Sequence, residues 1–163
     1  MPSTKEPEKI LILGIGNVLM GDEGVGIHVI NYLKGMQLPG GVDCLDGGTG
    51  GFYLLEPIPL SDHIIMIDAT LDGAPAGKVR RLRPRFSSDY PPTLTAHDIG
   101  LKDLLDALYQ LEDPPDMTLF AVSIPPLQEL SMVLSPELAE LVPEIAHKVL
   151  QEADKREPFT TAS

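Results

Sequence analysis

The chain has 163 residues, a length that suits one domain able to bury about two-thirds of the surface its unfolded form exposes. Hydrophobic residues make up 43% and charged residues 22%, far from a disordered composition, and the net charge of −12 makes nucleic acid a poor partner. The start MPSTKEPEK lacks the apolar core of a signal peptide, and no later apolar run approaches the ~18–20 residues that span a bilayer, so a cytoplasmic location is expected.

Lys9 to Ile15 is short and almost wholly apolar, the pattern of a strand buried on both faces. Gly24 to Leu33 carries Val25, Val29, Ile30 and Leu33 at helical spacing, and Gly35 closes the helix. Val42 to Leu45 reads as a second strand whose lone cysteine, Cys44, cannot form an internal disulfide and suits a core position. The turn-like run Asp46-Gly47-Gly48-Thr49-Gly50-Gly51 follows, then a short helix over 52–56. His63 to Ile67 is a buried strand ending at Asp68, and Lys78 to Arg83 alternates charged and apolar residues as an exposed edge strand does. Leu101, Leu104, Leu105, Leu108 and Leu111 define the clearest amphipathic helix. Met117 to Ile124 is the last strand. Ser135-Pro136 supplies an N-cap and first residue for a terminal helix, in which Pro143 predicts a kink or a restart. Residues 1–8 and 156–163 read as flexible tails.

Buried strands alternating with helices predict an α/β fold: a single three-layer domain with a mainly parallel twisted sheet of about five strands and helices on both faces. In such sheets ligands gather beyond the carboxyl ends of the strands, a rule that selects Asn17, Asp22, Glu23, Asp46 and Asp68. The loop Gly14 to Gly24 does not fit a dinucleotide fingerprint. Leu19 stands where the third glycine belongs, and two carboxylates occupy the place of a pyrophosphate. A phosphate loop would also need a lysine that is absent.

Each acidic residue has a plain structural reading. Asp22 and Glu23 favour the positive end of a helix, Asp68 suits a turn or a cap, and His97 can cap the leucine helix or lie at the surface. Together, Glu23, Asp68 and His97 could supply two oxygens and one nitrogen to one divalent ion while leaving coordination positions open. Neither an H-E-x-x-H motif nor a cysteine cluster is present, and His28, His63 and His147 are more simply structural. His97 has no evident nucleophile partner in sequence, which disfavours a covalent mechanism.

The ordered set Gly14-x-Gly16-Asn17-x-Leu19-x-Gly21-Asp22-Glu23-Gly24-x-Gly26, Asp46-Gly47-Gly48-Thr49, Ile67-Asp68-Ala69 and His97 with Gly100-Leu101 resembles the hydrogenase maturation protease family. The resemblance extends over most of the chain. It implies an endopeptidase that removes the C-terminal extension of a nickel-iron hydrogenase large-subunit precursor after nickel insertion. It further implies that Glu23, Asp68 and His97 bind metal, that Asp46 matches a functional acidic loop position, and that nickel, carried by the substrate, is the metal recognised; other divalent ions could occupy the same ligands. Pro125-Pro126 and Ser131-Met132 depart from the family pattern after the last strand, in the region of the substrate groove. Paired glycines at 47–48 and 50–51 could let a loop close on the substrate tail, or form a plain turn. Two alternatives use the same ligands: a non-catalytic nickel- or precursor-binding chaperone, and an independent metallohydrolase. Asp72, just beyond the third strand, offers a control position outside the ligand set.

Overall fold

The computed structural model describes residues 8–48, 60–85, 105–126 and 128–154. Its centre is β1 (Ile10–Gly14), every residue of which is buried because strands flank it on both sides and helices cover both of its faces. β2 (Val42–Asp46) and β3 (His63–Thr70) pair with it in parallel, and β5 (Asp116–Ser123) pairs in parallel with β3. β4 (Val79–Leu82) lies antiparallel on β5, completing the order β2-β1-β3-β5-β4. The mainly parallel five-stranded sheet is therefore as expected, and the alternating charges of β4 mark an edge.

β3 runs longer than its sequence predicts. An aspartate after an apolar run reads as a stop signal, yet Asp68 pairs with Ala121, Ala69 with Val122 and Thr70 with Ser123. The neighbouring parallel strand supplies a ladder that overrides local turn propensity. Asp68 thus sits inside the sheet, two residues before the strand's end.

Helices cover both faces. On one, α1 (Val25–Lys34) and α2 (Pro136–Asp154) lay Val29, Ile30, Leu33, Leu138, Ile145 and Val149 against the sheet. On the other, Leu105 and Leu108 of a helical segment over 105–109 cover Leu13, Ile64, Met66 and Leu119. Leu101 and Leu104 of the leucine pattern, and the predicted helix over 52–56, lie outside the described residues. No helix among the described residues is long and apolar enough to cross a membrane.

Two helix ends differ from the sequence signals. Gly35 ends α1 in a right-handed conformation, its amide bonded to the Tyr32 carbonyl at 3.1 Å, so the left-handed freedom of glycine goes unused. The Ser135 carbonyl accepts the first helical bond from Ala139, but its hydroxyl forms no hydrogen bond with the described residues. Its amide goes instead to a distant aspartate described below. α2 passes through Pro143 without restarting. The carbonyl of Pro143 stays engaged by the His147 ring at 2.7 Å, and the turn before it, from Ala139, faces solvent, where a carbonyl deprived of its partner amide can be hydrated.

β4 is tied to α2 by a forked ion pair, Arg81 Nε and Nη2 donating to the two Glu152 oxygens at 2.6 and 2.8 Å. Glu152 is 2% exposed, whereas the Arg81 side chain is half exposed. The Arg81 hydrogen bonds hold the Glu152 carboxyl below its usual range despite burial, with further help from the charges of Arg81, His63 and Arg83. A folded-state value below the unfolded one contributes stability above the unfolded pKa, and that stability is lost as pH falls through the folded value. Arg81→Gln, which strands a buried carboxylate, should cost about 1–2 kcal/mol at pH 7 after allowing for solvent at the arginine. In urea titrations the difference from wild type should shrink below about pH 4, the ordinary carboxylate range.

Candidate active site

The parallel register brings three strand ends level. Gly14 at the end of β1 lies opposite Asp46 of β2 and Ile67 of β3, the residue before Asp68. The loop leaving β1 then folds back over those ends. The Ile15 amide donates to the Ile67 carbonyl at 2.9 Å, and Gly16 donates to the Gly48 carbonyl at 2.8 Å.

Glycine makes this packing possible. A Cβ on Gly26, in the first turn of α1, would lie 2.6 Å from the Ile15 carbonyl oxygen and against that of Ile67. Gly16 combines a φ of +152° with contact against the Glu23 carbonyl. The glycines that resemble a nucleotide loop therefore serve close backbone packing. They seat the turn that carries Glu23 on the ends of β1 and β3.

That turn is a short 3-10 segment, Gly21–Gly24, set by the Asn17 side chain accepting the Leu19 amide at 3.0 Å and by Glu23 donating to the Met20 carbonyl at 3.1 Å. Its two adjacent acids have opposite fates. Asp22 is 3% exposed: its Oδ1 accepts the Ser135 amide at 2.8 Å, and its own amide donates to Gln128 Oε1 at 2.7 Å. Glu23 is only half-buried. One acid fastens the segment after β5, and the other keeps part of its surface open to solvent.

Asp68 is fully buried, with Oδ1 accepting the Ala69 amide at 2.7 Å. Strand alternation puts it on the face of Ile64 and Met66, the face covered by the segment bearing Leu105 and Leu108. His97 precedes that segment in sequence and lies outside the described residues. Asp46 is exposed at the end of β2, where its Oδ1 accepts the Gly48 amide at 2.9 Å and closes a turn. The fold thus brings the Glu23 turn against the strand end before Asp68, with Asp46 level on the flanking strand. Among the described residues no three His, Cys, Asp or Glu side chains form a metal-holding group. The donor set of two carboxylates and a histidine suits a divalent transition metal in chemical type.

Other histidines and acids have structural partners. His63 is fully buried and bonds Thr118 Oγ1 at 3.0 Å. Burial lowers the His28 ring below its ordinary value, with Asp22 opposing. Asp72 is no neutral control, because Oδ1 accepts the Ser123 hydroxyl at 2.8 Å and the Ala74 amide at 3.0 Å while Oδ2 pairs with Arg80 at 3.0 Å. Burial pushes its carboxyl up, but those partners outweigh it and hold it low. Sequence reading missed this clamp and that of Asp22, since neither distant partner leaves a local signal; Asp43, exposed on β2, is the better control.

These features define a class: a three-layer α/β protein whose acid-bearing, glycine-packed loop lies at the carboxyl edge of a parallel sheet. The HycI hydrogenase maturation protease model matches residues 27–152, and the chain belongs to this family of peptide-bond hydrolases. It is 33% identical over 146 residues to the hydrogenase 2 maturation protease of Escherichia coli K12, spanning 87% of this chain and 88% of that protein. The hydrogenase maturating endopeptidase HybD from E. coli superposes with a TM-score of 0.81 at 32% identity, covering 90% of this chain and 93% of that one. The [NiFe] hydrogenase maturation protease HybD from Thermococcus kodakarensis gives 0.69 at 26% identity over 90% and 97% of the two chains.

The contrast between the adjacent acids is directly testable. Asp22→Ala removes the acceptor of a buried amide and should lower stability by about 1–3 kcal/mol in chemical denaturation. Glu23→Gln should change it by no more than about 1–2 kcal/mol. Equal, large losses in both would show that Glu23 is as structural as its neighbour.

Proposed function

We propose that this protein is an endopeptidase that removes the C-terminal extension of a nickel-iron hydrogenase large-subunit precursor after nickel insertion, reading the nickel that the substrate carries. The observation that supports this most is the stitching of the Glu23 turn to β3 one residue before Asp68, through the Ile15–Ile67 hydrogen bond and the close seat of Gly26. A family of hydrolases and two acids brought to one sheet edge make a coherent pair. In this reading Glu23 and Asp68 offer oxygens, His97 offers a nitrogen, and Asp46 holds the flanking turn. Nickel held by thiolates of the precursor would polarise a nearby carbonyl or lower the pKa of a bound water. Glu23, Asp68 and His97 fix the precursor's metal centre, and with it the scissile bond, in one orientation. A precursor without nickel lacks the group these ligands grip and is not oriented for cleavage.

Three ligands make an incomplete shell, so the isolated protein should bind nickel or cadmium weakly. Calorimetric titration checks this, and a stoichiometric metal that survives dialysis against a chelator would instead point to an independent metallohydrolase.

The main experiment mixes purified protein with nickel-loaded and nickel-free precursor and measures the mass of each large subunit. Trimming of the loaded form alone is expected. Glu23→Gln, Asp68→Asn and His97→Ala should each slow trimming by about 100-fold or more while remaining folded, because loss of one ligand misplaces the bond to be cut. Asp43→Asn should match wild type. Binding of the precursor without any shortening would turn the reading into a chaperone, and folded ligand variants that trim at the normal rate would remove the metal-reading mechanism.

A further inference from the structure

Two loops distant in sequence meet beside the Glu23 turn. The Ser131 amide donates to the Leu19 carbonyl and the Gly21 amide donates to the Ser131 carbonyl, both at 2.8 Å, which makes a parallel bridge between Met20 and Ser131. The bridge is fixed from its buried side. Asp22 accepts the Ser135 amide and donates to Gln128, whose side-chain amide in turn donates to the Pro125 carbonyl at 3.1 Å. The Ser131 hydroxyl, bonded to both the amide and the carbonyl of Val133, sets the bend that follows.

The outer side of this rigid element is different in character. Leu19, Leu130, Met132 and Val133 are 50%, 80%, 63% and 72% exposed. The parallel register sets Leu19 level with Leu130, and strand alternation keeps Met132 on the same side. The backbone groups of Leu130 and Met132 form no hydrogen bond with the described residues. Single exposed leucines are ordinary, but Leu19, Leu130 and Met132 along one open backbone edge, with Val133 at the bend beyond, make an apolar patch of the kind that marks interaction sites in a chain of net charge −12.

Resting on the function proposed above, we propose that this edge is the docking ledge for the precursor. An extended apolar stretch of the large subunit adds its backbone to Leu130 and Met132 and lays its side chains across Leu19, Leu130 and Met132. Open backbone groups and apolar side chains together are what strand addition uses, the hydrogen bonds giving affinity and the side chains choosing the sequence. A second copy of this chain fits less well. Four side chains cover far less than the roughly 800 Å² per partner of a stable interface, and −12 on each copy opposes association. Because Gly21 belongs to the same turn as Glu23, a strand docked here is led past the proposed metal ligand. The departure from the family pattern at Ser131-Met132 then reads as partner choice.

The test compares wild type, the double variant Leu130→Ser/Met132→Ser, and Leu60→Ser, a 71% exposed leucine just before β3 at the opposite end of the sheet. With nickel-loaded precursor the double variant should raise KM about 10-fold while kcat stays within about twofold, as expected for loss of apolar contacts made before the chemical step. Leu60→Ser should leave both constants unchanged. An unchanged KM in the double variant overturns the ledge and leaves the proposed reaction standing. If wild type fails to cleave the precursor, the proposed reaction falls, and the ledge is judged by binding of nickel-loaded precursor to immobilised wild type and double variant. Equal affinity there overturns it. Sedimentation that shows a wild-type dimer dissolved by the two substitutions assigns the edge to a second copy and overturns it equally.

Discussion

The close approach of the first helix to the ends of β1 and β3 is the constraint on which the rest of this molecule depends. The backbone of Gly26 rests where any side chain would meet the carbonyl oxygens of Ile15 and Ile67. A larger residue would lift α1 from the sheet, and with it the Glu23 turn, from the strand that carries Asp68. Gly14 enforces the same approach from below, since a Cβ there would sit 2.5 Å from both the Gly26 carbonyl and the Ile30 side chain. The sheet edge is therefore assembled by what the glycines lack, and the acids inherit their spacing from it.

Hydrogen-bonded acids divide labour along the same edge. Asp22 satisfies an amide that the entry into α2 would otherwise leave unmade, and Gln128 satisfies the amide of Asp22. Asp72 does the corresponding work on the other side, joining the end of β5 to the start of β4 through Ser123 and Arg80. Asp22, buried, and Asp72, at the surface, each tie distant segments together through hydrogen bonds, whereas the Glu23 side chain keeps exposed surface.

Much of the architecture was legible because buried parallel strands leave unbroken apolar runs, and KILILGI and HIIMI admit few other readings. Their order with the helices then dictates layers and handedness. What stayed hidden was long-range. The extension of β3 through Asp68 depends on pairing with Ala121, a residue 53 positions later, and local turn chemistry pointed the other way. Asp22 and Glu23 are indistinguishable as neighbours in sequence; only the arrival of Ser135 separates them. The candidate site was readable as positions at strand ends, and the family motifs supplied their grouping. The segment from Gln128 to Val133 carries no motif of its own, so its position beside the Glu23 turn emerges only when the bridge to Met20 is in view.

Cys44 illustrates how a residue without a reaction of its own can still matter. It is the one cysteine in the chain, half-buried on β2, and burial pushes its thiol above the ordinary range, against the pull of Lys34 and with the added push of Asp43. A protonated thiol is a poor ligand, and thiolate is the donor that soft metals prefer. Under the function proposed here, an enzyme that inspects nickel on the thiolates of its substrate meets a hazard that ordinary hydrolases do not: it could steal the cargo. Oxygen and nitrogen donors hold nickel less greedily than sulfur, and a lone thiol kept neutral within the sheet offers no rival. On that proposal the inspected metal would leave with the product.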